Sequence, residues 1–146
     1  MDISLDAQET LVTPTLTEQL EHLKMYMTKR KPDHRDPTPN TYPNKFVHQL
    51  KDGTAVEIQE ASTENVDFIV IKDGEKAVVQ QKIWITQPKN KETVCYTLSK
   101  ENEWYEQKSE SHQYEGGIAL FWKFGPAEKI DADTVRQKLS KYIIFG

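Results

Sequence analysis

Residues 52–61 read DGTAVEIQEA, and this short stretch decides the fold class. A DG turn pair opens it, and Val56 and Ile58 then alternate with Glu57 and Gln59. Alternation with a period of two places apolar side chains on one face of a strand and polar side chains on the other. The stretch therefore predicts a β-strand that begins at a tight turn and buries one face.

The same pattern continues on both sides of this stretch, with turn residues about every eight to twelve positions. About seven strands in succession predict antiparallel neighbours, arranged as a β-meander or a partly closed barrel over residues 45–124. A calycin-like barrel, or a sheet curved over a helix, would give the same strand pattern. The predicted strands span residues 45–51, 54–61, 66–72, 76–87, 92–99, 103–112 and 117–124.

Two of these strands differ in composition. Residues 66–72 contain an unbroken apolar run from Phe68 to Ile71, which predicts a central strand that is buried on both faces or covered by one of the helices. Residues 103–113 have only two apolar side chains, Trp104 and Tyr105. So polar a stretch predicts an edge strand or a solvated ribbon.

Helical periodicity appears on either side of the predicted sheet. Thr15 and Glu18 form a capping box, and leucines recur at helical spacing after them, which predicts a helix over residues 15–29. Asp131 is a favourable N-cap for a second helix over residues 131–144, whose apolar stripe would seal the sheet or barrel. The expected class is therefore α+β.

The chain of 146 residues is expected to form one globular domain over residues 14–146, preceded by a flexible tail, residues 1–13. Four of the seven prolines lie in residues 31–43 and predict a Pro-rich loop. The sequence has no signal-peptide pattern and no apolar run of bilayer length, and Cys95 is its single cysteine. These features predict a soluble, cytoplasmic protein.

Motifs for chemistry are sparse. The four histidines are too far apart in sequence for a local metal site, and Cys95 lies in a predicted strand, where we expect a buried, inert thiol. Ser111 and His112 belong to a Ser-Glu-Ser-His run with the residue types of a hydrolase, but neighbours on a strand point to opposite faces. We therefore predict no enzyme activity, no cofactor and no metal.

The remaining features favour binding to another protein. Residues 54–124 carry twelve acidic side chains and eight lysines, and an acidic sheet surface favours a basic partner over nucleic acid. The Pro-rich loop adds Tyr42, an amphipathic side chain common at interfaces. The leading prediction is a non-enzymatic interaction module of the adaptor, inhibitor or accessory-subunit type. Its expected partner-binding residues are His34, Arg35, Tyr42 and Phe46.

The predicted order of strands followed by one C-terminal helix is similar in outline to the pleckstrin-homology-like superfold, which mostly hosts binding modules. The turn at Lys51-Asp52-Gly53 stands where its lipid-binding members carry a basic cluster, so we expect neither phosphoinositide binding nor membrane contact. Exposed edge strands would also allow a homodimer through continued sheet pairing.

Two other functions are open at this point. The first is binding of a small apolar ligand, or an enzyme activity, in an aromatic-lined pocket. Its expected lining residues are Trp84, Tyr96, Trp104 and Trp122. The second, single-stranded nucleic-acid binding by the same aromatics, is disfavoured by the acidic sheet.

Overall fold

The computed structural model describes residues 14–30, 42–88, 92–113, 116 and 120–144, with the backbone alone at 30, 92, 111–113 and 120–122. These residues form two helices and nine strands, which confirms the α+β class. The helices are α1, Leu16–Lys24, and α2, Ala132–Leu139. The strands are β1, Thr28–Arg30; β2, Asn44–Gln49; β3, Ala55–Glu60; β4, Phe68–Val70; β5, Lys76–Thr86; β6, Glu92–Ser99; β7, Trp104–Gln113; β8, Leu120–Phe124; and β9, Glu128–Ile130.

The nine strands belong to one antiparallel sheet with the order β1-β2-β3-β5-β6-β7-β8. Strand β4 pairs with the first part of β5, and β9 pairs with the first part of β7. Across the described ranges, β1 and β8 end this order and do not pair with each other, so of the two predicted arrangements, a β-meander or a partly closed barrel of about seven strands, the barrel is wrong. The two helices cover one face and supply the apolar contacts that a barrel obtains from its own opposite wall.

Both helices begin where the sequence predicts and end earlier. The capping box of α1 is present, with the Thr15 hydroxyl accepting from the Glu18 amide at 3.2 Å. The helix ends at Lys24, because residues 28–30 pair with β2 and are taken into the sheet as β1. Asp131 caps α2 by accepting from the Thr134 amide at 3.2 Å. Neither described helix is long and apolar enough to cross a membrane.

The predicted positions of two strands are reversed in the sheet. The apolar β4 has only three residues and pairs only with β5, and Phe68 and Val70 are about half exposed. The polar β7 lies inside the sheet, between β6 on one side and β8 with β9 on the other. A strand's position depends on which edges its neighbours offer, and side-chain polarity alone does not determine it.

Most buried apolar side chains lie between the helices and one face of the sheet. We name this cluster the first core. In the register of the ladders, Ile58 faces Ile83 and Ile83 faces Tyr96, so one row of side chains crosses three strands beneath α1 and α2. Its buried members are Leu16, Leu20, Val56, Ile58, Ile83, Ile85, Tyr96, Leu98, Trp104, Val135, Leu139 and Ile143.

The opposite face of the sheet is buried by two different groups of side chains. A second core consists of Tyr42, Ile69, Val79, Tyr105 and Ala127. Beside it, β6 and β7 bury a mainly polar set that we name the polar face. Its members are Thr93, Cys95, Thr97, Gln107 and Ser109.

Candidate functional site

The feature of the described surface that most suggests binding is a groove at the ends of the two helices, which we name the helix-end groove. Its volume is about 400 Å³. Three segments form its walls: the end of α1, the end of β2 and the chain that follows α2. The lining residues are Leu23, Tyr26, Met27, His48, Leu50, Ser140, Lys141, Tyr142, Ile143 and Ile144.

Three large apolar side chains stand in water at or beside this groove. Met25 is 76% exposed, Tyr26 75% and Ile144 88%. A tight turn holds the first two in place, because the amides of residues 25 to 27 donate to the carbonyls of residues 22 to 24. The Tyr26 ring also makes an edge contact with His22, with ring centroids 5.4 Å apart. Clustered apolar exposure of this kind is typical of interaction surfaces.

The floor of the groove is continuous with the first core. Ile143 is buried there, and Leu23, Met27 and Tyr142 are partly buried against the same cluster. The chain after α2 is fixed by amides of Tyr142 and Ile143 that both donate to the Leu139 carbonyl at 2.9 Å. A surface supported in this way keeps its shape without a ligand, which lowers the entropy cost of binding.

The charge of the groove differs from that of the whole chain. The full sequence has a formal net charge of −4, yet the described lining includes Lys141 and His48 and no carboxylate. Both side chains are exposed. The described lining of the helix-end groove therefore has a net positive charge, that of Lys141, in an acidic protein.

The expected partner-binding residues are distributed over different parts of the molecule. The Tyr42 ring is 6% exposed in the second core, and its hydroxyl donates to Asp67 Oδ2. Burial raises the pKa of Tyr42, and the Asp67 carboxylate raises it further. Phe46 is half-buried against the first core, with the Lys24 and Lys29 ammonium groups 5.5 and 5.9 Å from its ring centroid. His34, Arg35 and most of the Pro-rich loop lie outside the described residues.

The four aromatic residues expected to line one ligand pocket are not brought together. Tyr96 and Trp104 are buried in the first core. Trp84 is on the opposite face, because it pairs with Cys95 while its neighbour Ile83 pairs with Tyr96. Trp122 pairs with Ser111 in the β7–β8 ladder, and its side chain is outside the described part.

The polar groups around Trp84 form hydrogen bonds with one another. The indole donates to Gln59 Oε1 at 3.0 Å, and Gln59 Nε2 donates to Glu57 Oε2 at 2.6 Å. Lys82 Nζ lies 5.8 Å from the Trp84 ring centroid, 5.5 Å from that of Tyr42 and 3.5 Å from Asp67 Oδ2. This cluster joins β5 to the second core. The Lys82 ammonium already fills the position beside the two rings that a cationic ligand would take.

Cys95 is fully buried beside this cluster and is a free thiol. Burial raises its pKa to about 11, so the sulfur is protonated at neutral pH. Within the described ranges, no group of three His, Cys, Asp or Glu side chains could hold a metal ion. The polar face therefore offers less for binding than the helix-end groove.

Comparisons of the chain with protein families, with curated proteins and with solved structures found no match. The likeness to the pleckstrin-homology-like superfold accordingly stays a prediction. The groove was missed in the sequence because its walls come from segments far apart in the chain. The sequence signals that could have indicated it are the Met25-Tyr26-Met27 run just after a helix and the apolar Ile143 and Ile144 near the C-terminus.

Proposed function

We propose that this chain is a protein-interaction module that holds an apolar segment of a partner protein in the helix-end groove. The observation that carries the proposal is the exposure of Tyr26 and Ile144 in a groove whose floor is part of the first core, with exposed Met25 beside it in sequence. Covering an apolar side chain of this size stabilises a complex by about 1.5–3 kcal/mol. A groove of about 400 Å³ accommodates one or two apolar side chains of a bound helix or strand.

The charge of the groove favours a particular partner. The Lys141 ammonium lies in its lining and no carboxylate does among the described residues, so apolar residues flanked by carboxylates fit it better than apolar residues flanked by lysines. From the sequence alone, the acidic composition of residues 54–124 favours a basic partner. The groove favours an acidic segment because its local charge acts at contact distance, whereas the net charge of the chain is screened beyond about 8 Å at physiological salt.

The other expectations about function stay predictions. These are the absence of enzyme activity, contact through the acidic sheet surface and the Pro-rich loop, and a homodimer through an edge strand. Tyr42, near the end of that loop, is packed in the second core. A contact made by the loop would therefore begin next to a fixed point in the fold.

A peptide library displayed on phage and selected on the full chain tests the proposal. The groove variant combines Tyr26→Ser with Ile144→Ser, two exposed positions where the fold tolerates a polar residue. The matched control combines Phe68→Ser with Val70→Ser. These exposed apolar residues pair with the start of β5. The other end of β5, at Thr86, lies near the groove and is about ten residues, or roughly 30 Å, away.

We expect selected peptides to lose at least about tenfold in affinity on the groove variant and to bind the β4 control as they bind the native chain. Peptides that bind both variants equally would show that the groove is not the docking surface. Native mass spectrometry supplies a second readout. If the chain from its own cells carries a few hundred extra daltons that the groove variant lacks, the groove holds a small ligand and the proposal fails.

A further inference from the structure

A second, smaller hollow of about 180 Å³ lies beside the helix-end groove. Its walls are strand residues of β5 and β6 on one side and residues of α2 and the following turn on the other. Lys141 and Tyr142 line both the hollow and the groove, so they form the ridge between the two. The lining of the hollow is more polar than that of the groove. The polar side chains of the hollow are Gln87, Tyr96, Lys138, Lys141 and Tyr142.

Most of the hydrogen-bonding capacity in this hollow is already used within the chain. Glu106 accepts from Lys138 Nζ at 2.7 Å and from the Tyr96 hydroxyl. The carboxylate thereby pairs with one lysine and one phenol. Burial raises the pKa of Tyr96, and Glu106 raises it further, so this hydroxyl keeps its proton and its bond. The Tyr96 hydroxyl is therefore not free to donate to a ligand, and the charge of Lys138 is balanced by that of Glu106.

The two donors on the ridge, the Tyr142 hydroxyl and the Lys141 ammonium, do not donate to a described group of the chain. Gln87 Nε2 donates to the Tyr142 hydroxyl oxygen at 3.1 Å, which leaves the hydroxyl's own hydrogen available to an acceptor. The exposed Lys141 ammonium has no hydrogen-bond or ion-pair partner among the residues the structure describes. Lys138 and Glu106 cancel, so Lys141 gives the hollow a net positive charge.

We propose that Lys141 and Tyr142 form a carboxylate-binding site that recognises an acidic group next to the apolar segment in the groove. A carboxylate has two oxygens and can accept one hydrogen bond from each donor, both strengthened by charge. The inference rests on the proposed function and specifies its partner. The carboxylate has two sources, an acidic side chain or the free C-terminus of the partner segment.

Four short peptides separate these sources: Ac-LLEL-NH2 with a side-chain carboxylate, Ac-LLQL-OH with a terminal carboxylate, Ac-LLQL-NH2 with neither and Ac-LLKL-NH2 with a cation. Their affinities are measured by NMR titration of the full ¹⁵N-labelled chain, following the backbone amides of Tyr26, Lys141 and Ile144. The variants are Lys141→Gln, Lys141→Glu and Tyr142→Phe. Lys100→Gln is the matched control, an exposed lysine at the far end of β6, roughly 20 Å along the strand from Val94 in the hollow.

We expect the native chain to bind a carboxylate peptide about three- to tenfold more tightly than Ac-LLQL-NH2. Lys141→Gln should remove this preference, Lys141→Glu should transfer it to Ac-LLKL-NH2, and Tyr142→Phe should weaken it about threefold. Lys100→Gln should leave it unchanged. Whichever carboxylate peptide binds more tightly identifies the source.

Two results would overturn the inference, and they differ. If all four peptides bind in the groove equally, the carboxylate site is wrong and the proposed function stands. If none of them shifts the groove amides, the carboxylate site and the docking groove fail together.

Discussion

The two faces of the sheet are both buried, but by different chemistry. In β6, Tyr96 and Leu98 point into the first core. The alternate residues Cys95 and Thr97 point to the polar face. All four are less than a tenth exposed. The first core gains its stability from apolar area removed from water, whereas the polar face must form hydrogen bonds to offset desolvation.

The polar face forms those bonds largely through its backbone and neighbours. Gln107 Nε2 donates to the Gly125 carbonyl at 2.7 Å, and the Ser109 hydroxyl donates to the Thr93 carbonyl at 3.3 Å. Hydrogen bonds of this kind contribute about 1 kcal/mol each, less than a fully buried aliphatic side chain. This difference indicates that the first core supplies most of the stability, whereas the polar face adds specific hydrogen bonds.

The largest expected effect tests that difference with two isoleucines. Ile83→Ala in the first core should lower the free energy of unfolding by about 3–5 kcal/mol, because Ile83 is fully buried under both helices. Ile69→Ala should cost about 2–3 kcal/mol, because the second core has only five buried members among the described residues and its surroundings can relax into the cavity. Urea denaturation measures both. Equal costs would mean that the second core is packed as well as the first.

A smaller effect is expected at Lys82, which lies beside the Trp84 and Tyr42 rings on the face opposite the first core. Lys82→Met should cost about 1–3 kcal/mol, because it leaves Asp67 without its cation and removes contacts with two rings. The control is Lys129→Met, which removes an exposed ion pair in which Lys129 Nζ lies 3.0 Å from Glu103 Oε1. That variant should be indistinguishable from the native chain, since exposed pairs contribute little. A native-like Lys82→Met would show that the cluster does not stabilise the polar face.

The smallest effect at neutral pH concerns Cys95. Burial raises the pKa of Cys95 in the folded chain to about 11, above the ordinary thiol value of 9.0, so the unfolded chain loses the thiol proton first. The stabilising contribution of this thiol is complete below about pH 9 and is lost as the pH rises towards 11. The difference in unfolding free energy between the native chain and Cys95→Ala, followed from pH 7 to 11, should shrink over that window. A constant difference would contradict a buried thiol.

The fold class and the starts of both helices could be predicted because they depend on local signals. The capping box at Thr15 and Glu18 and the N-cap at Asp131 are formed by residues three positions apart. The positions of β4 and β7 in the sheet could not be predicted, because β5 and β7 are long enough to pair with two strands along one edge. Such shared edges depend on residues far apart in the sequence.

The candidate site was harder to predict than the fold. Tyr26, His48, Lys141 and Ile144 come from three segments that meet only after the sheet and both helices have packed. The expected anchor Tyr42 was recognised as an unusual side chain, but its ring is buried against Asp67. Residue type indicated importance at that position without indicating which neighbour the side chain would meet.

By itself, the sequence determined what alternation and end signals can specify: strands within residues 45–124, one helix before them and one helix after them in the chain, and an apolar sheet face for a helix to cover. The tertiary structure decided which face each residue joins. Val79, Ile83 and Ile85 would share a face in a regular strand, yet a register shift between Val79 and Gln81 places Val79 in the second core. The reason is that one extra residue in a strand reverses the alternation beyond it, and only pairing with β6 determines where that residue lies.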